Sequence, residues 1–325
     1  MKTVLVTGCA GFIGSHVAEV CLARGDRVVG VDSLNDYYSV DQKRENVRVL
    51  TQFDRFEFVH ADVASAARDV IDGVDVVFHQ AGQPGVRDSW RQRFGDYLSR
   101  NVAATQQLLE AAVAARTARV VFASSSSVYG DARRYPVYES ELPQPLSPYG
   151  MTKLAAEHLC SLYAKNFGLS VVSLRYFSVY GPRQRPDMAI HRLIQSALSG
   201  LPFEQFGDGS QVRDFTFVAD VVSANLAAAV SDVPGGIVAN VAGGTLCSLT
   251  ELSAMVSQIA GAPVTSQRHE RAHGDVRCTS GAIDLARQAF GWQPAVLLSE
   301  GLARQVEWHR SMDRSTADGD RPSRR

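Results

Sequence analysis

The pattern that most constrains this chain is its opening strand, glycine turn, helix and second strand. Residues 3–7, Thr-Val-Leu-Val-Thr, form an apolar run of strand length that enters Gly8-Cys-Ala-Gly11-Phe-Ile-Gly14. A helical pattern follows through Val20 and Leu22 and stops at Gly25. A second apolar strand, Arg27 to Val31, then ends on Asp32. This is a βαβ unit with glycines where a pyrophosphate must approach backbone N–H groups at a helix N-terminus. Gly8, Gly11, Phe12, Ile13 and Gly14 are therefore the expected phosphate-side contacts. Their three-residue steps differ from the Gly-x-Gly-x-x-Gly spacing of most dehydrogenases. Asp32 can accept hydrogen bonds from the adenosine ribose hydroxyls and would repel a 2′-phosphate, so NAD is favoured over NADP.

Strand and helix patterns then alternate. Phe56 to Val59 leads to Asp62 and Val63, placed to meet the adenine edge. Val74 to Phe78 is a fourth strand, and Gln80, Ala81 and Gly82 follow it with room for a cofactor to pass. Asn101 opens a helix through Leu108, Leu109 and Ala112. Arg119 to Phe122 runs into four serines, 124–127, and then Val128-Tyr129-Gly130. Val171 to Leu174 is a sixth strand, followed by Arg175-Tyr-Phe-Ser178-Val-Tyr180-Gly181-Pro182. Near-continuous apolar strands separated by helices predict a parallel sheet covered on both faces, an α/β doubly wound Rossmann-type fold. Ligands then sit at the carboxyl ends of the strands, where every polar cluster named above falls. Residues 1–180 are expected to bind the dinucleotide, with returns from the C-terminal half. Residues 181–310 should form a smaller α/β substrate lobe, and 311–325 a disordered polar tail.

Ser-Pro-Tyr-Gly-Met-Thr-Lys, residues 147–153, sets Tyr149 and Lys153 four residues apart at a helix start that Pro148 favours. Both side chains should share one face. A lysine ammonium beside a phenol favours phenolate, lowering the tyrosine pKa from ~10 towards what a general base for an alcohol needs. The formal net charge of −1 gives no basic excess for nucleic acid, and no window reaches the apolar length of a membrane span. The N-terminus enters the first strand at once, too short for a signal peptide. The five cysteines are scattered without metal-ligand spacing, which suits reduced thiols in a cytoplasmic protein that holds no metal.

In their joint order, the glycine turn, Asp62, the serines before Val128-Tyr129-Gly130, Tyr149-x-x-x-Lys153 and Arg175 through Pro182 resemble the extended short-chain dehydrogenase/reductase superfamily. The likeness covers roughly residues 1–310 and lies with its nucleotide-sugar epimerases and dehydratases. It implies bound NAD, also contacted by Tyr149, Lys153 and Asn101, a UDP-sugar substrate, a Ser–Tyr–Lys catalytic group with Ser125 as its hydroxyl, and a homodimer. Ser126 and Ser127 stand where the dehydratases carry an Asp-Glu pair. Arg183-Gln-Arg185-Pro186-Asp187-Met188-Ala189, with Asn35-Asp36-Tyr37-Tyr38, is similar to UDP-glucuronate 4-epimerases. That likeness implies Arg185 as a bidentate partner for a sugar carboxylate, with Ser126, Ser127 and Ser178 completing the pocket. A loop salt bridge between Arg185 and Asp187 is the alternative use of that arginine. Arg213 is the expected diphosphate contact, with Arg271 and the Gly274–Val276 region after His273 as further candidates. A UDP-glucose or UDP-N-acetylglucosamine 4-epimerase, and a non-catalytic NAD-sensing protein, are the rival readings.

Overall fold

The computed structural model describes residues 1–271 and 274–319, with side chains through Met312; His273 lies outside the described residues. Six strands come from the first 180 residues: β1 (Thr3–Thr7), β2 (Arg27–Asp32), β3 (Phe56–His60), β4 (Val76–His79), β5 (Arg119–Ser125) and β6 (Val171–Tyr176). After β7 (Ser178–Tyr180), β8 (Phe203–Phe206) and β9 (Val212–Phe217), β10 (Ile237–Val241) returns to the main sheet beside β6. Its order is β10-β6-β5-β4-β1-β2-β3, all parallel. With β11 (Thr245–Ser248) and β12 (Ser266–His269), the remaining strands form two small sheets, β11-β9-β7 and β12-β8. The doubly wound expectation holds, and the strand order reverses between β1 and β4, where such sheets open a ligand crevice.

Alternation along each strand builds two cores. Val4 and Val6, Val76 and Phe78, Val121 and Ala123, and Val172 and Leu174 face one core. Leu5, Val77, Val120, Phe122 and Val171 face the other. Helices α1 (Phe12–Ala23) and α2 (Val40–Leu50) follow the first two strands, and α3 (Val63–Val70) follows the third. A short α4 (Phe94–Tyr97) passes through a π-helical turn, Leu98–Ala103, into α5 (Ala104–Ala114), and α6 (Pro148–Phe167) is the catalytic helix. The second core packs against α3, α5 and α6, and the first against α1 and the C-terminal helices. These are α7 (Ala189–Ser199), α8 (Val218–Val230), α9 (Leu249–Ala260), α10 (Asp284–Phe290) and α11 (Leu298–Gly319).

Two expectations are corrected. Asn101 does not open a helix but lies inside the π-helical turn of a longer one. The polar stretch expected as a disordered tail over residues 311–325 continues α11 as far as Gly319, and its last residues, 320–325, lie outside the described residues. Leu302, Gln305, Val306 and His309 bury one face of that helix, and a helix already nucleated propagates through polar residues at little cost.

Candidate active site

Two connected hollows lie at the carboxyl ends of the strands. The first, about 190 Å³, is lined by Gly8, Gly11, Phe12, Ile13, Gly14, Asp32, Asp62, Val63, Gln80, Ala81, Gly82, Tyr149 and Lys153. Gly8 takes φ +71°, and a β-carbon on it would meet Ala81 N at 2.7 Å. No side chain caps α1 at Gly11, and its first turn carries no acid, so the helix N-terminus is open to an anion. Asp32 accepts from Ala10 N at 3.1 Å and Leu34 N at 2.8 Å. Burial nonetheless raises its carboxyl above the ordinary value. A glycine cradle, an uncapped helix start and a carboxylate closing β2 together fit a dinucleotide.

Helix α6 is set against β5 by its first turn. Ser147 Oγ accepts from Gly150 N at 3.1 Å, and Pro148 occupies the start as expected. A β-carbon on Gly150 would lie 2.5 Å from Ser127 O, so only glycine lets the helix come this close to the serine run. Tyr149 thereby reaches Ser125 at the end of β5, while the Tyr97 ring meets it edge-on at 6.3 Å. Burial raises the Tyr149 phenol above its ordinary value, against the hydrogen bond of Ser125 and the positive charge of Arg185, which lower it. Lys153 donates to Ala123 O at 2.9 Å, and burial pushes it down to about 8. The Lys153 ammonium is directed to the strand carbonyl, while Ser125 and Arg185 are the groups that favour the Tyr149 phenolate.

The second hollow, about 640 Å³, shares Tyr149 and Arg185 with the first and contains Ser125, Ser126, Ser127, Ser178 and Arg213. The loop bearing Arg185 is anchored from three sides. Gly181 N donates to Gln305 Oε1 at 2.9 Å, and Gln305 Nε2 donates to Gln184 Oε1 at 2.7 Å. Arg183 takes the left-handed φ of 64° in the turn closed by Gln184 N and Gly181 O, and its guanidinium pairs with Glu19 of α1 at 2.7 Å. Gln42 of α2 reaches the Arg183 and Gln184 carbonyls at 3.2 and 3.3 Å.

Residues 4–242 match the NAD dependent epimerase/dehydratase family. The chain belongs to that family. An uncharacterized UDP-glucose epimerase of Bacillus subtilis is 39% identical over 311 residues, 95% of this chain and 98% of that one. A UDP-glucuronate 4-epimerase of Thermodesulfobacterium geofontis is 35% identical over 316 residues, 95% of this chain and 96% of the relative. The crystal structure of UDP-glucuronic acid 4-epimerase from Bacillus cereus in complex with UDP-glucuronic acid and NAD superposes with a TM-score of 0.92. It is 40% identical and covers 95% of this chain and 99% of that one.

Within this epimerase/dehydratase framework, most expected site residues converge on the two hollows, and two do not. Asn101 is buried behind the cleft. Its Oδ1 accepts from Gln83 N at 2.7 Å, and its Nδ2 donates to Gln83 O and Thr152 Oγ1. Those bonds use its amide to hold the loop after β4 in place, so it does not line the cleft. Arg271 is exposed and donates to Asp275 O at 2.6 Å without itself lining the cavity. Arg213 does line it, paired with Asp275 at 2.9 Å. Arg185 donates Nε and Nη2 to the two oxygens of Asp187, each at 2.9 Å, so the loop salt bridge is present.

Sequence reasoning missed Arg87 and Lys43. Arg87 faces the same Asp275 at 3.6 Å and stacks over Phe206 at 4.1 Å, opposite Arg213 in the larger cavity. Its partners lie far along the chain, and no local spacing announces them. Buried Lys43 binds Asn35 O at 2.6 Å and Oδ1 at 2.9 Å, fixing the loop that follows Asp32. Its position one turn into an amphipathic helix was the only available signal.

Proposed function

We propose that this chain interconverts UDP-glucuronate and UDP-galacturonate by transient oxidation at C4 of the sugar. The observation that carries this reading is Arg185, a fixed guanidinium lining both hollows and acting on the Tyr149 phenol. NAD, held by the Gly8–Gly14 turn and Asp32, supplies the hydride acceptor and donor, so the cycle has no net redox change. Tyr149 removes the 4-hydroxyl proton and returns it, and Ser125 bridges the phenol and that hydroxyl. Lys153, on the Ala123 carbonyl, borders the ribose side of the cleft. Arg87 and Arg213 face the diphosphate, while Ser126, Ser127 and Ser178 supply short donors to the sugar. The C4 ketone of an acidic sugar is a β-keto acid prone to lose CO₂, and Arg185 holds the carboxylate out of the aligned geometry.

In this reading residues 1–180 with β10 serve the dinucleotide and residues 181–310 the UDP-sugar. Exposed Leu98, Leu162 and Phe167, on the π turn and α6, support a homodimer; the scattered free thiols support a cytoplasmic setting. The Arg185–Asp187 pair favours a second reading, turnover of UDP-glucose, because a countered arginine demands an acidic sugar less strictly. Product analysis by NMR after incubation with each sugar decides between them. Formation of UDP-galacturonate supports the first reading; UDP-galactose alone moves the chain to the second.

A further inference from the structure

Arg185 and Asp187 are paired by the chain's own local geometry. Met188 N donates to Arg185 O at 3.2 Å, closing a four-residue turn with Pro186 second. Proline presets the backbone for that position, and the turn folds Asp187 back onto the arginine two residues before it. A guanidinium has five N–H donors in a planar fork. Asp187 takes Nε and one proton of Nη2. The opposite edge, Nη1 with the other Nη2 proton, makes no hydrogen bond among the described residues. Burial works against the charge on Arg185, yet Asp187 holds the guanidinium protonated above its ordinary range.

Elsewhere in the larger cavity the arginines also meet carboxylates, with Arg87 and Arg213 sharing Asp275. The cavity lining contains four arginines (Arg87, Arg185, Arg192, Arg213) and four carboxylates (Asp88, Asp187, Glu204, Asp275). Arg192 pairs with Glu204 at 2.7 Å and Arg213 with Asp275 at 2.9 Å. Near the catalytic Tyr149, the charge offered to a sugar is therefore that of a neutral ion pair with one free hydrogen-bonding edge.

We propose that Asp187 sets the sugar specificity of this site: its carboxylate cancels much of the charge that Arg185 would bring to a substrate, leaving a fork edge that acidic and neutral sugars can both use. This rests on the epimerase reading above. A substrate carboxylate on the free edge would sandwich the guanidinium between two anions, and their repulsion offsets part of the attraction. A neutral sugar hydroxyl suffers no such repulsion. Asp187 is thus a positioning and charge-setting residue that keeps the cavity from excluding neutral UDP-sugars.

Calorimetric binding of UDP-glucuronate and UDP-glucose to the NAD-loaded protein tests this without depending on turnover. Asp187→Asn keeps one acceptor for the arginine and removes the countercharge. The affinity ratio should shift towards the acidic sugar about tenfold, equal to about 1.4 kcal/mol. The shift should shrink as salt is raised, appear in KM more than kcat, and vanish when Arg185→Ala is added. Asp187→Ser should move the ratio the same way. An unchanged ratio, a shift towards UDP-glucose, or a gain that persists without Arg185 overturns the proposal. Product analysis separately decides the epimerase reading, since a wild-type protein that forms no 4-epimer still yields an affinity ratio for Asp187.

Discussion

Replacing Gly14 by alanine probes the tightest contact of the glycine turn. A β-carbon there would stand 2.1 Å from Gly8 O and 2.7 Å from Gly8 C, both backbone atoms. Gly8 cannot retreat easily, because its N–H bonds Val31 O at 2.7 Å and so ties the turn to β2. Forcing an extra carbon into such a site costs ~1–3 kcal/mol, while the helix preference of alanine over glycine returns only ~0.5–1 kcal/mol. The expected net loss is ~0–2.5 kcal/mol, with NAD held less tightly because the turn must open. At Gly11 the same β-carbon would lie 3.1 Å from Gly8 O, too close by only a few tenths of an ångström. Gly11→Ala should therefore be milder on both counts. Urea unfolding gives the stability, and chromatography of the nucleotide released on denaturation gives the NAD content. Full stability and full NAD occupancy in Gly14→Ala would refute the reasoning.

Arg185→Ala should cut turnover of UDP-glucuronate by the ~2–5 kcal/mol typical of a truncated charge pair, cost UDP-glucose only the ~0.5–1.5 kcal/mol of one lost hydrogen bond, and release UDP-pentose by decarboxylation; equal loss of both sugars without pentose would make Arg185 structural. Tyr149→Phe should keep the fold and NAD but lose turnover by at least ~10²–10⁴, and a near-normal rate would assign the proton to another group. Lys153→Met should abolish turnover yet raise stability at neutral pH by on the order of 1–3 kcal/mol, because burial penalises the charged amine. With the folded pKa pushed down from 10.5 to about 8, the unfolded chain binds more protons between those values. Wild-type stability therefore gains from Lys153 as pH rises through that window, and the variant lacks the gain; equal slopes in urea melts would contradict this. Burial also lowers His16 to about 4 and His79 and His309 to about 3. Below pH 6.5 the unfolded chain binds more protons at these sites, so stability should fall on acidification by about 1.4 kcal/mol per pH unit each. Asp214, raised by burial to about 6, opposes this with one proton; urea midpoints that do not move between pH 7 and 5 would show the histidines are not held neutral.

The parts of the molecule legible in the sequence were those set by local rules. Strand alternation, the glycine steps and the Ser147–Pro148 helix start all act over a few residues, and the structure places them as expected. Asp32, the serines and Tyr149 also lie where strand ends and helix starts put them. What escaped were choices made by distant partners. Asn101 has a polar side chain suited to a ligand, but Gln83 and Thr152 take its bonds. Arg271 and Arg87 look alike in sequence, yet only Arg87 lines the cavity, because Phe206 and Asp275 hold it there. Lys153 stands one turn from Tyr149, as the spacing requires, but burial and the Ala123 carbonyl decide where its ammonium points.

The return of β10 to the sheet has a bearing on how such chains can be recombined. Its Asn240 donates Nδ2 to Val137 O at 2.9 Å and Ala282 O at 3.1 Å, and accepts from Tyr129 at 2.8 Å. A single strand from the C-terminal half is thus stitched to the segments around Val137 and Ala282, which also pair with each other. Truncation after residue 180 would strand β6 as an exposed edge with unpaired backbone groups, an invitation to aggregate, and a donor block joined there must rebuild every one of these β10 contacts. Exchanging sugar specificity between relatives therefore calls for grafting two separated segments, 181–236 and 242–297, around a retained β10. Inheritance of new substrates in this architecture is more easily achieved by point changes in loops such as 183–188 than by swapping a contiguous block.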